Sequence, residues 1–261
     1  MNSFALTRRR LLGALGAVSL TARGMFVGDG KAAPAPSVAG LSCVLSPAMT
    51  EGPFFIDERL NRSDLTSGTA KAGVVQGLPL LLHIDLRSVQ ATGCLPVAGM
   101  QVDVWHADAM GDYSGVSEGA GRSGKLGNAF LRGYQVSDAS GRVTFRTIYP
   151  GWYYGRTVHI HVKARLFNAA GSATYDFASQ LFFDDESNDR VMALAPYNAR
   201  GARSVRNDRD GILRGGTSAL VNLTAPADGA RGYVATATLG LKLAVPGGAA
   251  IEGTPFGGKP A

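Results

Sequence analysis

The fourteen residues YPGWYYGRTVHIHV (149–162) bring together side chains that could bind a metal. The chain has four histidines, and two of them, His159 and His161, stand one residue apart in this segment. Branched apolar residues alternate with them: Val158, Ile160 and Val162. This period-two pattern predicts a half-buried strand with both imidazoles on one face. Two imidazoles so placed suit iron, zinc or copper, although the polar face of an ordinary strand remains the alternative.

Tyrosines near the histidine pair narrow the choice of metal. Tyr153 follows a Pro-Gly turn signal and is expected on a loop that enters the strand, with Tyr154 as the alternative. Tyr113 lies in a second, glycine-containing turn. Two tyrosinates and a hydroxide would neutralise a trivalent ion, so Tyr113, Tyr153, His159 and His161 together favour Fe(III) over Zn(II). An ordinary tyrosine has a pKa of about 10, and only a strongly charged metal would hold two of them ionised at neutral pH.

Strands are the elements that must position these side chains. Six alternating segments are separated by turn residues: 79–86, 100–108, 141–148, 179–185, 219–225 and 233–241. The chain has 35 glycines and 12 prolines, as many turns require, and no clear helical period follows residue 40. We therefore expect an all-β antiparallel sandwich or barrel with few or no helices over residues 36–244. Residues 245–261 are expected to be a flexible tail.

The first 35 residues have the features of an export signal. The twin-arginine pattern TRRRLL (7–12) runs into the short apolar segment LLGALGAVSL (11–20). That segment is too short to span a bilayer comfortably as a mature helix. We therefore expect a twin-arginine signal peptide and linker at residues 1–35, no stable membrane anchor, and a periplasmic or extracellular protein.

The net charge of +6 gives no support for nucleic-acid binding. Residues 1–33 carry five basic side chains and one acidic side chain, so their removal leaves about +2. No basic stripe with interleaved aromatic residues remains in the rest of the chain. A partner that is a nucleic acid is therefore not expected.

The remaining polar candidates are expected to be structural. His83 alternates with Leu82 and Ile84 on a predicted strand. His106 follows Trp105 on the strand leading to Tyr113, and support of a metal ligand is its alternative role. Acidic residues in turns commonly bond to nearby backbone, as expected for Asp108 and Asp112. The two cysteines are Cys43 and Cys94. They would form a disulfide in an oxidising compartment, with two buried free thiols as the alternative.

Longer motifs around these residues resemble the intradiol ring-cleavage dioxygenases, the non-haem Fe(III) enzymes that cleave catechols between the two hydroxyls. The resemblance covers roughly residues 43–215 and rests on TEGPFF (50–55), RSDL (62–65), GMQVDVWHADAMGDYSG (99–115), FLRGYQVSDASGRVTFRTIYPGWYYGRTVHIHV (130–162) and SQLFF (179–183). It implies an antiparallel β-sandwich whose metal ligands are Tyr113, Tyr153, His159 and His161. It also places the family's arginine at Arg156 and its glutamine, at the start of the next strand, at Gln180.

The resemblance implies an enzyme that inserts both atoms of O2 into a catechol-type aromatic ring and gives a cis,cis-muconate-type diacid. Tyr153 would leave the metal and take up a substrate proton, while Arg156 would stabilise negative charge, with Gln180 beside it. The spacing of six residues between Tyr153 and His159 is shorter than in many relatives. The alternatives are an exported binding module of the same fold without activity, and a zinc or copper hydrolase-like sandwich, although no carboxylate or third histidine lies near the motif.

The export signal can be tested by replacing Arg8 and Arg9 with lysine. Because the twin-arginine route recognises this arginine pair, we expect the double variant to stay in the cytoplasm while the wild type is exported. Cell fractionation and immunoblotting would measure the distribution. Undiminished export of the double variant would contradict the expectation.

Overall fold

The computed structural model describes residues 44–66, 75–91, 93–116, 128–213, 219–226 and 231–243. The expected signal peptide and linker (1–35) and the expected tail (245–261) lie outside the described residues, so both stay predictions. Cys94 is disulfide-bonded, and the only other cysteine of the chain, Cys43, lies outside the described residues.

Two β-sheets make up most of the described structure. The strands are β1 (Pro79–Gln90), β2 (Gly93–Pro96), β3 (Gln101–Trp105), β4 (Arg132–Val136), β5 (Arg142–Ile148), β6 (His159–Phe167), β7 (Ala173–Phe182), β8 (Asn222–Thr224) and β9 (Tyr233–Leu241). One sheet has the order β2-β1-β9-β8, with β5 also paired to β1, and the other has the order β4-β3-β6-β7. The expected all-β sandwich is therefore confirmed. Its strand pairs are antiparallel except for β1 and β9, which run parallel.

The core lies between the inner faces of the two sheets. Alternate residues of β1, β3, β5, β6 and β9 are buried there because successive side chains of a strand point to opposite faces. The first sheet contributes Leu82, Ile84, Phe145, Ala235 and Leu239, and the second contributes Val102, Val104, Ile160, Val162 and Ala164. The apolar residues on either side of His161 are thus part of this core and fix the orientation of β6.

A single α-helix within the described ranges interrupts the all-β pattern. It is α1 (Asp185–Met192), and 3₁₀ helices follow at Tyr197–Arg200 and Asn207–Arg209. The strand predicted at 179–185 is wrong in its bounds, because β7 begins at residue 173 and ends at Phe182. Asp184 ends the extended segment, since its carboxylate accepts a hydrogen bond from the Ser187 backbone and caps α1. None of these helices is long and apolar enough to cross a membrane.

The outer face of β6 is also covered, so the prediction of a half-buried strand at residues 158–162 is wrong. All four residues from His159 to Val162 are buried. The chain segment 49–57 lies over this face, where Glu51 forms an ion pair with Lys163 at 2.7 Å and Asp57 forms one with Arg165 at 3.1 Å. The sequence pattern missed this cover because it was supplied by a distant segment. The histidines consequently lie in a buried layer and not at the surface.

Candidate metal centre

The two histidines of β6 place their Nε2 atoms 3.1 Å apart inside the protein. The Nδ1 atom of His159 donates a hydrogen bond to the Thr157 carbonyl oxygen at 2.7 Å. Because that oxygen can only accept, the Nε2 atom of His159 carries a lone pair. Burial lowers the pKa of His159 to about 3, with the charge of Arg156 adding to the effect, and burial also lowers the pKa of His161. Both rings are therefore neutral at pH 7, as imidazole ligands of a metal must be.

The loop before β6 brings Tyr153 to the same point. Its hydroxyl oxygen lies 3.3 Å from Nε2 of His159, and the residue is 5% exposed. The neighbouring Tyr154 is 80% exposed. The geometry therefore favours Tyr153 over Tyr154 as the tyrosine of this cluster.

Tyr113 completes the group of four side chains expected to bind the metal. It is 1% exposed, and its ring centroid lies 5.7 Å from that of Tyr153 and 6.1 Å from that of His161. The structure thus brings together four residues that are distributed over 49 positions of the sequence, from Tyr113 to His161. Their role as ligands stays a prediction.

The turn that carries Tyr113 has its own internal hydrogen bonds. The Asp108 carboxylate accepts a bond from the Asp112 backbone at 3.0 Å, and the Gly111 backbone donates to the Asp108 carbonyl at 2.9 Å. Gly111 has φ = +82°, and a Cβ atom there would overlap the Trp152 carbonyl oxygen. Glycine is therefore required for the Tyr113 turn to pack against the loop that holds Tyr153. The local backbone bonding predicted for Asp108 is confirmed.

Aromatic side chains surround the four residues. The Trp105 indole is stacked on His161 with 4.9 Å between centroids and 4° between planes, since the two residues are direct partners across β3 and β6. Phe54, from the covering segment, is stacked on Tyr113 at 4.6 Å. These rings shield the cluster from water and make its environment strongly apolar, which strengthens electrostatic interactions within it.

Arg156 lies beside the cluster and is held by two side chains. Its Nε atom donates to Asp210 at 2.9 Å, and its Nη2 atom donates to the Gln180 amide oxygen at 2.6 Å. Its Nη1 atom lies 3.5 Å from both the Tyr153 hydroxyl oxygen and Nε2 of His159. A positive charge thus faces the point at which the imidazole and phenol groups converge.

Gln180 is buried and directly opposite His161 in the β6–β7 pair. Its amide nitrogen donates to the Thr50 carbonyl oxygen at 2.8 Å, which leaves its amide oxygen to accept from Arg156. The expectation that this glutamine starts a strand is wrong, because β7 begins at residue 173 and Gln180 lies near its end. The strand is longer than the apolar segment that marked it, since its first residues are polar and partly exposed.

Two residues near the site were missed in the sequence. Asp210 lies far along the chain in an irregular segment, where no local pattern distinguishes it. Arg132 lies within the FLRG motif, and it donates to the Phe54 carbonyl oxygen at 2.6 Å and the Ser114 carbonyl oxygen at 2.7 Å. Its guanidinium carbon lies 6.0 Å from the Tyr113 ring centroid. Burial lowers the pKa of Arg132 to about 10, so it is still charged at pH 7.

The other two histidines have structural partners, as predicted. Nδ1 of His83 lies 2.9 Å from the Thr144 hydroxyl oxygen across the β1–β5 pair. His106 is buried and bonds to the Ala107 carbonyl oxygen at 2.8 Å and to the Thr147 hydroxyl oxygen at 2.7 Å. Both ring nitrogens of His106 are therefore engaged, and His83 lies on β1, in the other sheet from β6.

The donor set fits a metal ion only if the tyrosines take part. Two donors that are each about 2 Å from one ion lie roughly 3 Å apart. The separations of 3.1 Å between the two Nε2 atoms and 3.3 Å from His159 to the Tyr153 oxygen match this value. Among the described residues, no group of three His, Cys, Asp or Glu side chains could hold a metal. The two phenol oxygens are the candidates to complete the coordination of an ion at this point, and such oxygen donors suit a hard trivalent cation.

The chain is similar to known proteins in both sequence and structure. A family model, Dioxygenase_C, described as "Dioxygenase", matches residues 50–187. An intradiol ring-cleavage dioxygenase from Tetranychus urticae is 30% identical, with a TM-score of 0.62 and coverage of 77% of this chain and 95% of that chain. The chain therefore belongs to the intradiol ring-cleavage dioxygenase family.

More distant solved structures share the fold alone. The 3-chlorocatechol 1,2-dioxygenase of Rhodococcus opacus 1CP is 19% identical, with a TM-score of 0.51 and coverage of 74% of this chain and 70% of that chain. The hydroxyquinol 1,2-dioxygenase of Pseudomonas putida DLL-E4 is also 19% identical, with a TM-score of 0.52 and coverage of 77% and 68%. No curated protein sequence matches the chain significantly.

The buried, non-ligand His106 gives a pH-dependent stability that can be measured. Burial lowers its pKa from 6.5 to about 4, although the bond to Ala107 raises it in part. The contribution of the neutral His106 ring to the free energy of unfolding is therefore fully present above pH 6.5. It is lost as the pH falls toward 4, because the unfolded chain then takes up a proton that the folded chain does not. At about 1.4 kcal/mol per pKa unit, the loss is on the order of 3 kcal/mol.

We expect His106→Gln to make the free energy of unfolding less dependent on pH between 7 and 4.5. Urea unfolding of metal-free wild type and variant at several pH values would measure this. His83→Gln is the matched control, since His83 is only partly buried and its replacement should change the pH dependence much less. Equal pH dependence in the wild type and His106→Gln would contradict the expectation.

Proposed function

We propose that the chain is an Fe(III)-dependent intradiol dioxygenase that inserts both atoms of O2 into a catechol-type ring to give a cis,cis-muconate-type diacid. The family acts on catechol-type substrates with O2 and is known for non-haem Fe(III). The observation that carries the proposal for this chain is the grouping of two neutral imidazoles and two buried phenol rings in one part of the interior. All four positions expected for the ligands are filled by residues able to bind the ion: Tyr113, Tyr153, His159 and His161.

The charges around the cluster suit a ferric site. The histidines are neutral, so two tyrosinates and a hydroxide would balance the three charges of the ion. Arg132 lies beside the Tyr113 ring, and a nearby positive charge favours the ionised form of a phenol. Because the cluster is almost wholly buried, these interactions are little screened by water.

A bound ion would supply Lewis acidity, which favours loss of a proton from a catechol hydroxyl and prepares the ring for reaction with O2. Tyr153 would take up a proton from a catechol hydroxyl at its Oη atom, which places the base within the site itself. The ring of Tyr153 sits on a loop and not on β6, so it can move more easily than the histidines. Trp105 and Phe54 would exclude water from the reacting ring.

Arg156 would stabilise negative charge that develops on the substrate. Its Nη1 atom faces Tyr153 and His159 at 3.5 Å, while its other nitrogens are held by Asp210 and Gln180. A donor that is fixed before the reaction costs little reorganisation when charge appears. Gln180 would act in turn by orienting the guanidinium.

We also propose that the protein works outside the cytoplasm. Two observations support this: the twin-arginine pattern at residues 7–12 and the disulfide bond of Cys94. Disulfides persist in oxidising compartments such as the periplasm. The twin-arginine route carries folded proteins, and a site assembled from two loops and a strand exists only after folding.

The ligand set can be tested by the colour of the iron-loaded protein. We expect an absorption band from charge transfer between tyrosinate and Fe(III), a shift of this band on adding catechol, and O2 uptake. Tyr113→Phe and Tyr153→Phe should each weaken the band, and His159→Ala or His161→Ala should lose most of the iron. Tyr154→Phe is the matched control and should change neither, because Tyr154 points to solvent.

Each contrary result has a distinct meaning. A colourless iron-loaded wild type would refute the tyrosinate site. Loss of colour in Tyr154→Phe but not in Tyr153→Phe would show that the ligand is one residue further on. A coloured protein that binds catechol without O2 uptake or ring cleavage would support the binding module in place of the enzyme.

A further inference from the structure

Asp210 is a buried carboxylate with an unusually full set of hydrogen-bond donors. Its side chain is fully buried. One carboxylate oxygen accepts from Nε of Arg156 and from the Thr157 backbone, each at 2.9 Å. The other accepts from the Ile212 and Leu213 backbone, each at 2.9 Å, and lies 3.4 Å from Nη2 of Arg156. The carboxylate therefore ties the loop before β6 to the segment that follows the second 3₁₀ helix.

The N–H donors of Arg156 face two directions. Some bond to Asp210 and Gln180, and the others face the group of candidate metal ligands. Nε and Nη2 are engaged by Asp210 and Gln180, at 2.9 Å and 2.6 Å. Within the part of the chain that the structure describes, Nη1 has only long contacts of 3.5 Å, both to members of the cluster, Tyr153 and His159. Since a guanidinium is planar, fixing Nε and Nη2 also fixes the direction of Nη1.

We propose that Asp210 is the positioning residue that aims Arg156 at the metal cluster, so that the reaction depends on a segment outside the part of the chain that the family model matches. That match ends at residue 187. That Asp210 holds Arg156 in place does not depend on the proposed function, whereas the consequence for catalysis rests on it. Among the described residues, the hydrogen bonds of the Asp210 carboxylate go to Arg156 and to backbone groups, and none goes to a candidate ligand.

The chemistry of the pair explains why removal of the carboxylate should matter. A buried ion pair is strongly weakened by loss of one partner, because the other charge stays buried without compensation. Without Asp210, the guanidinium keeps only the bond to Gln180 as a short contact and can rotate about it. A displacement of about 1 Å in a catalytic group can lower a rate by roughly 100-fold.

Asp210 also bonds to three backbone N–H groups, so a test must separate positioning from folding. We therefore choose Asp210→Asn, which loses the charge and presents an NH2 donor in place of one of the two accepting oxygens, together with Arg156→Gln and the double variant. Asp189→Asn is the matched control, because Asp189 pairs with Arg203 and Arg206 at 2.6 Å and 2.9 Å in the same part of the chain, away from the cluster. If Asp210→Asn does not fold, Asp210→Glu keeps the charge and displaces it by one methylene.

The first measurement uses metal-free protein labelled with nitrogen-15. We expect the Nε–H signal of Arg156, identified by its loss in Arg156→Gln, to be protected from exchange with water in the wild type and in Asp189→Asn. In Asp210→Asn the Nε–H of Arg156 should exchange with water, as the Nε–H groups of exposed arginines do. An Arg156 signal that stays protected in Asp210→Asn would overturn the proposal, whether or not the protein has any activity.

The second measurement uses the iron-loaded protein and catechol. We expect Asp210→Asn to lower kcat by about 10- to 100-fold and to change KM by less than about threefold, with the tyrosinate–iron band retained. In the Arg156→Gln background the same change should lower kcat by less than about twofold, because the two residues act as one unit. An equal effect of Asp210→Asn in both backgrounds would show that it acts through the fold and would overturn the proposal.

The two measurements separate failure of this proposal from failure of the proposed function. If the wild type cleaves no catechol, the proposed function fails, and exchange of the Arg156 signal still decides whether Asp210 holds it. If the wild type is active and Asp189→Asn is as impaired as Asp210→Asn, the effect of Asp210 is not specific and the proposal is wrong.

Discussion

The buried pairing of His159 and His161 on one face of β6 is the constraint on which the rest of the site depends. Strand alternation points both rings the same way, and the bond from His159 to the Thr157 carbonyl fixes which nitrogen faces the shared point. Burial keeps both rings neutral. Other features add to this pair: the loop tyrosine Tyr153 and the guanidinium of Arg156 approach Nε2 of His159, and the ring of the turn tyrosine Tyr113 lies beside His161.

Because the site is buried, the polar groups around it must form their hydrogen bonds with other groups of the protein. The segment 49–57 closes the outer face of β6 and also supplies the Thr50 carbonyl that orients Gln180. Gln180 and Asp210 then hold Arg156 from two sides. The cover over the strand and the arrangement of the site are therefore one network, in which the covering segment is as necessary as the strands.

Short-range sequence patterns were sufficient to predict the strands, but not to predict which distant segments cover them. The strand at Tyr233–Leu241 and the paired histidines follow from alternation within a few residues. Burial of the outer face of β6 depends on residues about 100 positions earlier, which no local period reveals. Asp210 was missed for the same reason, since its role comes from contacts with Arg156 and Thr157 more than 50 positions away.

The most direct test of the account is the position of iron in a crystal of the iron-loaded protein, located by anomalous scattering at the iron edge. We expect one peak within bonding distance of Nε2 of His159 and His161 and of the hydroxyl oxygens of Tyr113 and Tyr153. A peak elsewhere in the protein, or iron held by the histidines with both tyrosine oxygens beyond bonding distance, would contradict it.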